Sequence, residues 1–277
     1  MRITIVGLGV IGGSFGMALK KNGYTDVYGI DNDINTIKKA EDIGIIKKGY
    51  LDGEEILKSS DLVIISIYPK LLKNFIFNNR SNFKDGAVIT DATGIKEMFI
   101  EDILSIIPSN VDFVFGHPMA GREKKGIDFA SDEVFKGANY IITETKINKE
   151  NNIVLIESLA YTLGFKKVKR ISPKYHDEMI AFTSQLPHVL AVSLINSDKE
   201  GRNTGDFIGD SYRDLTRIAN INEDLWSELF LGNKENLLKC INNFEEELLK
   251  VKQSILNEDS LVLKEYLKKA TSRREKL

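Results

Sequence analysis

The sequence has little cysteine, proline, tryptophan and histidine, and neither sign of charge is in marked excess. Among its 277 residues Cys240 is the one cysteine, so an internal disulfide is excluded. This fits a protein of a reducing compartment. The formal net charge is −2, and nucleic-acid-binding proteins usually carry a basic patch, so no nucleic-acid partner is expected. No stretch approaches the roughly 18–20 apolar residues of a membrane span, and the N-terminal apolar run is too short for a signal peptide. These absences predict a cytoplasmic protein that does not bind membranes.

The scarcity of histidine and cysteine also limits the chemistry. The three histidines and the cysteine show no metal-ligand spacing, and there is no serine–histidine–acid pattern of a nucleophilic hydrolase. No metal site is therefore expected. With 42% hydrophobic and 28% charged residues, the chain has an ordinary globular composition and is long enough for two domains.

The N-terminus contains the pattern around which the first domain is organised. A β-branched run, residues 3–6, leads into Gly7-x-Gly9-x-x-Gly12 and then into a helical segment. In a dinucleotide-binding turn the first glycine permits the turn, the second admits the pyrophosphate and the third allows close packing of helix on strand. The free N–H groups at the helix start favour an anion. The residues we place at a dinucleotide here are Gly7, Gly9, Val10, Ile11 and Gly12.

A carboxylate further along the chain indicates which dinucleotide is bound. The second predicted strand ends in Asp31, 19 residues beyond Gly12, near the ~20 expected for the acid that binds the adenosine ribose. A carboxylate accepts hydrogen bonds from a 2′-hydroxyl and repels a 2′-phosphate, so NAD is predicted in preference to NADP. The alternative is that Asp31 only caps the helix that starts near Ile34.

Strands and helices alternate up to residue 171, which predicts an α/β fold with a Rossmann-type, doubly wound and mostly parallel sheet. Further strands are predicted at 45–46, 62–67, 87–90, 111–115, 140–143 and 165–171. Ligands bind at the carboxyl ends of such strands. The residues at or beyond strand ends that we also expect at the cofactor are Ser66, Pro69 and Thr93.

From residue 172 onward no strand is predicted. Ser172 followed by Pro173 is a typical helix start, so we divide the chain into a sheet domain, 1–171, and an all-helical domain, 172–277. Six apolar residues of the helical domain follow a coiled-coil-like spacing of 4, 3, 4, 3 and 4: Leu237, Ile241, Phe244, Leu248, Val251 and Ile255. Such a seam could pack within the chain, but we expect it to form a homodimer.

Two histidines occupy positions suited to chemistry. His117 follows a predicted strand and precedes Pro118, and a histidine at this edge of the sheet is placed to accept a substrate proton. A loop histidine bonded to backbone is the alternative.

His188 lies in a polar stripe with Asp177 and Ser184 on the helix that begins the second domain, and an apolar stripe that includes Tyr175 and Phe182 forms the back of that helix. Pro187 predicts a kink beside His188. The alternative is an exposed helix face with a tolerated kink.

The remaining polar candidates are less distinctive. The third histidine, His176, is expected to be exposed. Arg213 and Arg217 lie four residues apart, and a guanidinium can bind a carboxylate with two parallel hydrogen bonds. The alternative is that both are surface charges.

Four segments together carry a family resemblance. They are Gly7-Leu-Gly-Val-Ile-Gly-Gly-Ser, Gly116-His-Pro-Met-Ala-Gly, Ser184-Gln-Leu-Pro-His and Asp214-Leu-Thr-Arg-Ile-Ala. In this order they resemble the prephenate dehydrogenase family of tyrosine biosynthesis, over nearly the whole chain. The resemblance implies NAD-dependent oxidative decarboxylation of prephenate to 4-hydroxyphenylpyruvate. It also implies that His117 accepts the hydroxyl proton, that Arg217 binds a substrate carboxylate, and that Ser184 and His188 line the pocket.

The sequence departs from the family pattern in places. Where many members have a serine in an Asp-x-x-Ser-x-Lys loop, this chain has Gly94, preceded by Thr93. The length leaves no room for an appended regulatory domain, so feedback by tyrosine would act at the active site. Arogenate dehydrogenase, which performs the same chemistry on the amino acid, is the nearest alternative. A non-catalytic NAD-binding regulator and a dehydrogenase of small hydroxy acids are more distant ones.

Overall fold

The computed structural model of the protein describes residues 1–122 and 124–276. Within that part of the chain eight strands form one sheet, in the order β3-β2-β1-β4-β5-β6-β7-β8. The strands are β1 (Ile3–Val6), β2 (Val27–Ile30), β3 (Lys48–Tyr50), β4 (Leu62–Ile65), β5 (Val88–Asp91), β6 (Asp112–Pro118), β7 (Asn139–Thr143) and β8 (Lys167–Ile171). Only the β6–β7 pairing is antiparallel among these strand pairs, so the predicted mostly parallel sheet is confirmed.

Helices cover both faces of this sheet. They are α1 (Val10–Lys21), α2 (Ile34–Asp42), α3 (Pro69–Asn79), α4 (Ile100–Ile106) and α5 (Glu150–Thr162). Alternate strand residues point to opposite faces: Leu62 and Ile64 pack into a core with α1, α2 and α5, whereas Val63 and Ile65 pack into a second core with α3 and α4. The doubly wound arrangement is therefore confirmed.

Most strand bounds differ from the prediction by no more than two residues, and two strands differ by more. Ile45 and Ile46 lie in a bend, and the strand that adds to this edge of the sheet begins only at Lys48. The strand predicted at 111–115 continues to Pro118, because beyond its pairing with β5 it pairs with β7, including His117 opposite Ile141. His117 thus lies within a hydrogen-bonded strand and not in a loop after it.

A group of helices follows the sheet. They are α6 (Pro173–Ile180), α7 (Leu186–Asn196), α8 (Asp210–Thr216) and α9 (Glu223–Gly232). The predicted helix start is confirmed, since the Ser172 side chain accepts a hydrogen bond from the Tyr175 N–H. Where a kink was predicted, a π-helical turn (Ala181–Gln185) joins α6 to α7. Pro187 has no N–H and its ring would crowd the carbonyl of residue 183 in a regular helix, which the wider turn avoids.

The segment Pro173–Asn196 is long and apolar enough to cross a membrane by length and composition alone. The expectation that no stretch approaches that length was therefore wrong. Two polar side chains within this segment, His176 and Asp177, are buried and bond to residues at the edge of the sheet, as in a core helix of a globular fold.

Contacts divide the chain into two compact units, Met1–Asn233 and Lys234–Leu277. The second contains α10 (Lys234–Leu256) and α11 (Ser260–Arg274). These two helices are joined by a hydrogen bond of 2.6 Å from the Tyr266 hydroxyl to Oε2 of Glu247. On the predicted apolar seam of α10, Leu248 and Ile255 are 55% and 61% exposed in the single chain.

Candidate active site

The glycine-rich turn between β1 and α1 has the geometry that its sequence predicts. Gly7 has φ +82°, and a Cβ on Gly12 would overlap the Gly7 carbonyl oxygen, so both positions require glycine. A Cβ on Gly9 would meet nothing within 4 Å, which leaves the backbone there open to a ligand. Val10 and Ile11 form the first turn of α1, whose N-terminal N–H groups favour an anion.

Asp31 lies beside this turn, directly after β2. Its Oδ2 accepts a hydrogen bond of 2.7 Å from the Leu8 N–H, and its Oδ1 accepts one of 2.9 Å from the Asp33 N–H. The residue that caps α2 is Asp33, whose side chain accepts from the Asn35 N–H. The alternative that Asp31 is merely the cap of that helix is thus wrong.

The chain that leaves β4 lies against the glycine turn. A Cβ on Gly7 would come 2.6 Å from the Ser66 carbonyl oxygen, so the carboxyl ends of β1 and β4 are in close contact. The buried Ser66 hydroxyl has no hydrogen-bond partner among the residues that the structure describes. Pro69 occupies the first turn of α3, after Tyr68 in an extended conformation.

A buried ion pair organises the loop after β5. Nζ of Lys96 lies 2.6 Å from Oδ2 of Asp91, and both side chains are fully buried. Nζ also donates to the carbonyl oxygens of Thr93, at 2.9 Å, and Gly116, at 2.7 Å. Burial lowers the pKa of Lys96 and the charge of Asp91 opposes this lowering. The ammonium therefore joins the ends of β5 and β6.

Thr93, predicted at the cofactor, belongs to the same buried network. Its N–H and its hydroxyl both donate to Oδ2 of Asp91, and Nζ of Lys96 lies 3.0 Å from Oγ1. The Thr93 side chain, which precedes the position where many family members have serine, therefore helps to hold the loop after β5. The next residue, Gly94, lies against the catalytic candidate: a Cβ there would be 3.7 Å from Nε2 of His117.

His117 is bonded to a second histidine. Nδ1 of His117 lies 2.9 Å from Nε2 of His176, and Nδ1 of His176 lies 2.6 Å from Oδ1 of Asp177. His176 is completely buried, so its predicted exposure was wrong. Burial, the adjacent His176 and the cationic Lys96 all lower the pKa of His117 well below its usual 6.5. The imidazole of His117 is therefore neutral at physiological pH, as a proton acceptor must be.

Asp177 fastens the first helix of the helical region to the sheet edge. Its carboxylate accepts hydrogen bonds from the N–H groups of Lys96, at 2.9 Å, and Glu97, at 2.8 Å. Burial raises the pKa of Asp177 to about 6, while these backbone donors and the Lys96 charge oppose the rise. Sequence reasoning assigned Asp177 only to a polar helix stripe and did not predict these contacts.

His188 and Ser184 lie one helical turn apart at the π-helical turn. Nδ1 of His188 lies 2.8 Å from the Ser184 carbonyl oxygen, so it donates to that oxygen. The His188 ring packs on Trp226 of α9 with centroids 3.6 Å apart and planes at 30°. Both residues of the predicted pair are half-buried, which does not match the alternative of an exposed helix face. Trp226 was not identified from the sequence as a site residue.

Arg217 begins a short 3-10 turn, Arg217–Ala219, that packs against α7. The turn thereby lies next to the helix that carries His188, and the Arg217 side chain is exposed. Arg213, one turn earlier, pairs at 2.8 Å with Asp210. Arg213 is thus tied to a neighbour on its own helix.

Family models match both parts of the chain. "Prephenate dehydrogenase, nucleotide-binding domain" matches residues 15–169, and "Prephenate dehydrogenase, dimerization domain" matches residues 172–269. The prephenate dehydrogenase of Lactococcus lactis is 30% identical, over 99% of this chain and 77% of that protein. The cyclohexadienyl dehydrogenase of Zymomonas mobilis is 26% identical, over 98% of this chain and 94% of that protein.

A solved structure is also similar over the full length. It is prephenate dehydrogenase from Aquifex aeolicus in complex with hydroxyphenyl propionate and NAD+, with a TM-score of 0.91, 31% identity, and coverage of 100% of this chain and 98% of that one. The glycine turn, the half-buried His117 at the sheet edge and these matches lead to one conclusion. The chain belongs to the prephenate dehydrogenase family of oxidoreductases.

Proposed function

We propose that the protein catalyses the NAD-dependent oxidative decarboxylation of prephenate to 4-hydroxyphenylpyruvate. The observation that carries this proposal is the neutral, half-buried His117 at the carboxyl edge of the sheet, bonded through Nδ1 to His176. Ligands of such sheets bind at this edge. A neutral imidazole there is suited to take a proton from a substrate hydroxyl while hydride leaves the same carbon.

The glycine turn fits a dinucleotide. Gly9 leaves open backbone for a pyrophosphate, the start of α1 supplies N–H groups, and the unpartnered Ser66 hydroxyl lies at the neighbouring strand end. Asp31 would accept hydrogen bonds from the adenosine ribose, and its charge would repel a 2′-phosphate, which favours NAD over NADP. When bound, the nicotinamide supplies the hydride acceptor.

The substrate brings two carboxylates and one reactive hydroxyl. His117 accepts the hydroxyl proton as hydride leaves the ring carbon, and the ring carboxylate leaves as CO2. The proton then returns to the ring oxygen as the ring becomes aromatic, so no net proton is released. Aromatisation makes this step effectively irreversible.

The helical region supplies the charge complement for this dianion. Arg217 is proposed to bind a carboxylate through its two-pronged guanidinium, and Ser184 and His188 to line the pocket. Support comes from the packing of the Arg217 turn against α7, which carries His188. The packing of the His188 ring on Trp226 holds that histidine in place.

The experiment that tests this function is an assay of NADH or NADPH appearance with prephenate and with arogenate, each with NAD and with NADP. We expect the highest kcat/KM with prephenate and NAD. Preference for arogenate would assign the chemistry to the amino acid, since the two substrates differ in a keto or an amino side chain. Absence of turnover with all four combinations would leave a non-catalytic NAD-binding regulator and would overturn the proposal.

We further propose a division of the chain into a cofactor domain, 1–171, and a substrate-binding and dimerisation domain, 172–277, in a cytoplasmic homodimer. Support comes from the match of residues 172–269 to a domain described as a dimerization domain. The apolar side chains left exposed on α6 and the π-helical turn, including Tyr175 at 49% and Phe182 at 62%, are suited to such an interface.

A further inference from the structure

The catalytic candidate of this chain is held by a row of three side chains that share two hydrogen bonds. From His117 the row runs to His176, at 2.9 Å, and from His176 to Asp177, at 2.6 Å. The row crosses from the sheet edge to the first turn of α6. Asp177 is also held by the N–H groups of Lys96 and Glu97, so the row is part of the folded structure without a substrate.

The direction of hydrogen donation along the row begins at Asp177. Its Oδ1 faces the Lys96 N–H and Nδ1 of His176, and its Oδ2 faces the Glu97 N–H. Both oxygens thus accept hydrogen bonds from backbone donors. Because both oxygens of Asp177 already accept hydrogen bonds, the carboxylate is unprotonated and can only accept from His176. Nδ1 of His176 is therefore the donor in this hydrogen bond.

The remaining hydrogen positions follow from this one. A neutral imidazole carries one N–H, so Nε2 of His176 is an acceptor and Nδ1 of His117 must donate to it. His117 then has its lone pair on Nε2, the nitrogen that faces Gly94. The buried ammonium of Lys96, near both rings, disfavours a second proton on either histidine.

From this geometry we propose that His176 and Asp177 are positioning residues that hold His117 in the tautomer with Nδ1–H and a basic Nε2. The proposal rests on the function proposed above, with His117 as the proton acceptor. The wrong tautomer of a catalytic histidine costs several orders of magnitude in turnover. Their effect is therefore on kcat, exerted through His117, and not on substrate binding.

The tautomer can be measured directly because the chain has only three histidines. In a long-range ¹H–¹⁵N NMR spectrum of the wild-type protein at neutral pH, without substrate, we expect all three rings to carry the proton on Nδ1. His188 is included because its Nδ1 donates to the Ser184 carbonyl oxygen. The signals of His117 are assigned from their loss in His117→Asn. A proton on Nε2 of His117 would overturn the proposal, and this measurement does not depend on any activity.

Two substitutions of His176 separate positioning from a general structural role. In His176→Gln the terminal amide oxygen reaches the place of Nε2 and accepts from His117, so we expect kcat within about tenfold of wild type. In His176→Asn the shorter amide keeps the contact with Asp177 but leaves His117 without an acceptor. We expect kcat to fall by about 10²–10³-fold, KM for prephenate to change less than about threefold, and Nε2–H to appear on His117.

Equal kcat losses in both variants, with unchanged His117 tautomers, would contradict the positioning role. Thermal unfolding of both variants serves as the control for folding. If the wild type turns over neither prephenate nor arogenate, the proposed function fails, whereas the tautomers of His117 and His176 in the wild-type spectrum still decide this inference.

Discussion

His117 owes its neutral state to its surroundings. The half-buried ring lies beside His176 and near the ammonium of Lys96, and desolvation and both of these neighbours lower its pKa below 6.5. A group whose pKa is depressed in the folded protein stays unprotonated until the pH falls through that lower value. The proposed proton acceptor is therefore unprotonated over the whole physiological pH range.

A pH profile tests this state of His117. We expect kcat/KM to be independent of pH just above 6.5 and to decline only below it, as His117 takes up a proton. His117→Asn should lower kcat by about 10²–10⁴-fold with a small change in KM, and the residual rate should lose the acid limb that belongs to His117. An acid limb centred above pH 6.5, or one that persists unchanged in His117→Asn, would contradict the assignment.

Arg217 is expected to act in binding. Loss of a charge-assisted hydrogen bond of about 1.5–3 kcal/mol predicts that Arg217→Gln raises KM for prephenate by roughly 10–150-fold and leaves kcat within about fivefold. Arg213→Gln is the matched control, because Arg213 pairs with Asp210 on the same helix, and it should leave both constants near wild type. A fall in kcat as the main effect of Arg217→Gln would reverse its role.

Residue-level patterns predicted some of these positions better than others. The spacing of Asp31 from the glycine turn is set by one strand–helix–strand unit, so its place beside Leu8 follows from local structure. The exposure of His176 was predicted wrongly because helical periodicity groups side chains into stripes but does not show which stripe another part of the chain covers. The covering atoms come from the loop at Lys96, some 80 residues away in sequence.

At the scale of elements, the carboxyl ends of β5 and β6 are joined by Lys96. Its ammonium bonds to Asp91 and to the carbonyl oxygens of Thr93 and Gly116, the residue before His117. Removal of one partner of a buried ion pair leaves a desolvated charge, which typically costs about 3–5 kcal/mol.

We therefore expect Lys96→Met to lower the free energy of unfolding by about 3–5 kcal/mol. Lys73→Met is a control from the same region: the Lys73–Asp102 pair has a similar separation of 2.6 Å, but its side chains are 51% and 54% exposed. Such an exposed pair contributes about 0–1 kcal/mol. Denaturant unfolding of both variants measures the difference, and similar losses in the two would show that burial of the Lys96 pair is unimportant.

The helix that begins at Pro173 shows what a periodic pattern misses. On the predicted polar front, Asp177 bonds to the loop at Lys96 and His188 packs on Trp226. The predicted apolar back includes Tyr175 and Phe182, which are exposed in one chain. Pro187 predicted an irregularity in the helix. Its actual form, a π-helical turn, depends on tertiary packing that cannot be read from the sequence. Whether the apolar side faces the core or a second chain cannot be decided from periodicity.

For the whole molecule, the order of strands and helices in the sheet followed from alternating apolar runs and glycine turns. The antiparallel direction of β7 could not be predicted from that pattern. A run such as Tyr140-Ile-Ile-Thr143 reads the same in either direction, and its orientation is determined by the tertiary path of the loops on either side. The extension of β6 to His117 depends on that orientation.

The proposed homodimer is tested on the seam of α10. Leu248→Glu places a charge at a seam position that is 55% exposed in the single chain, and we expect it to convert dimers to monomers at micromolar concentration in analytical ultracentrifugation. Leu238→Glu, on the same helix but off the seam and 47% exposed, is the matched control and should remain dimeric. A wild-type protein that sediments as a monomer would contradict the dimer itself.

The hydrogen bond between His117 and His176 sets activity against thermal stability. When both partners of such a bond are replaced together by apolar residues, stability can stay the same or rise, whereas replacement of one partner leaves the other unsatisfied. A library varied jointly at 117 and 176 and selected only for a high melting temperature should therefore become enriched in apolar pairs and lose turnover. Directed evolution of this protein toward heat tolerance would have to select for catalysis in every round.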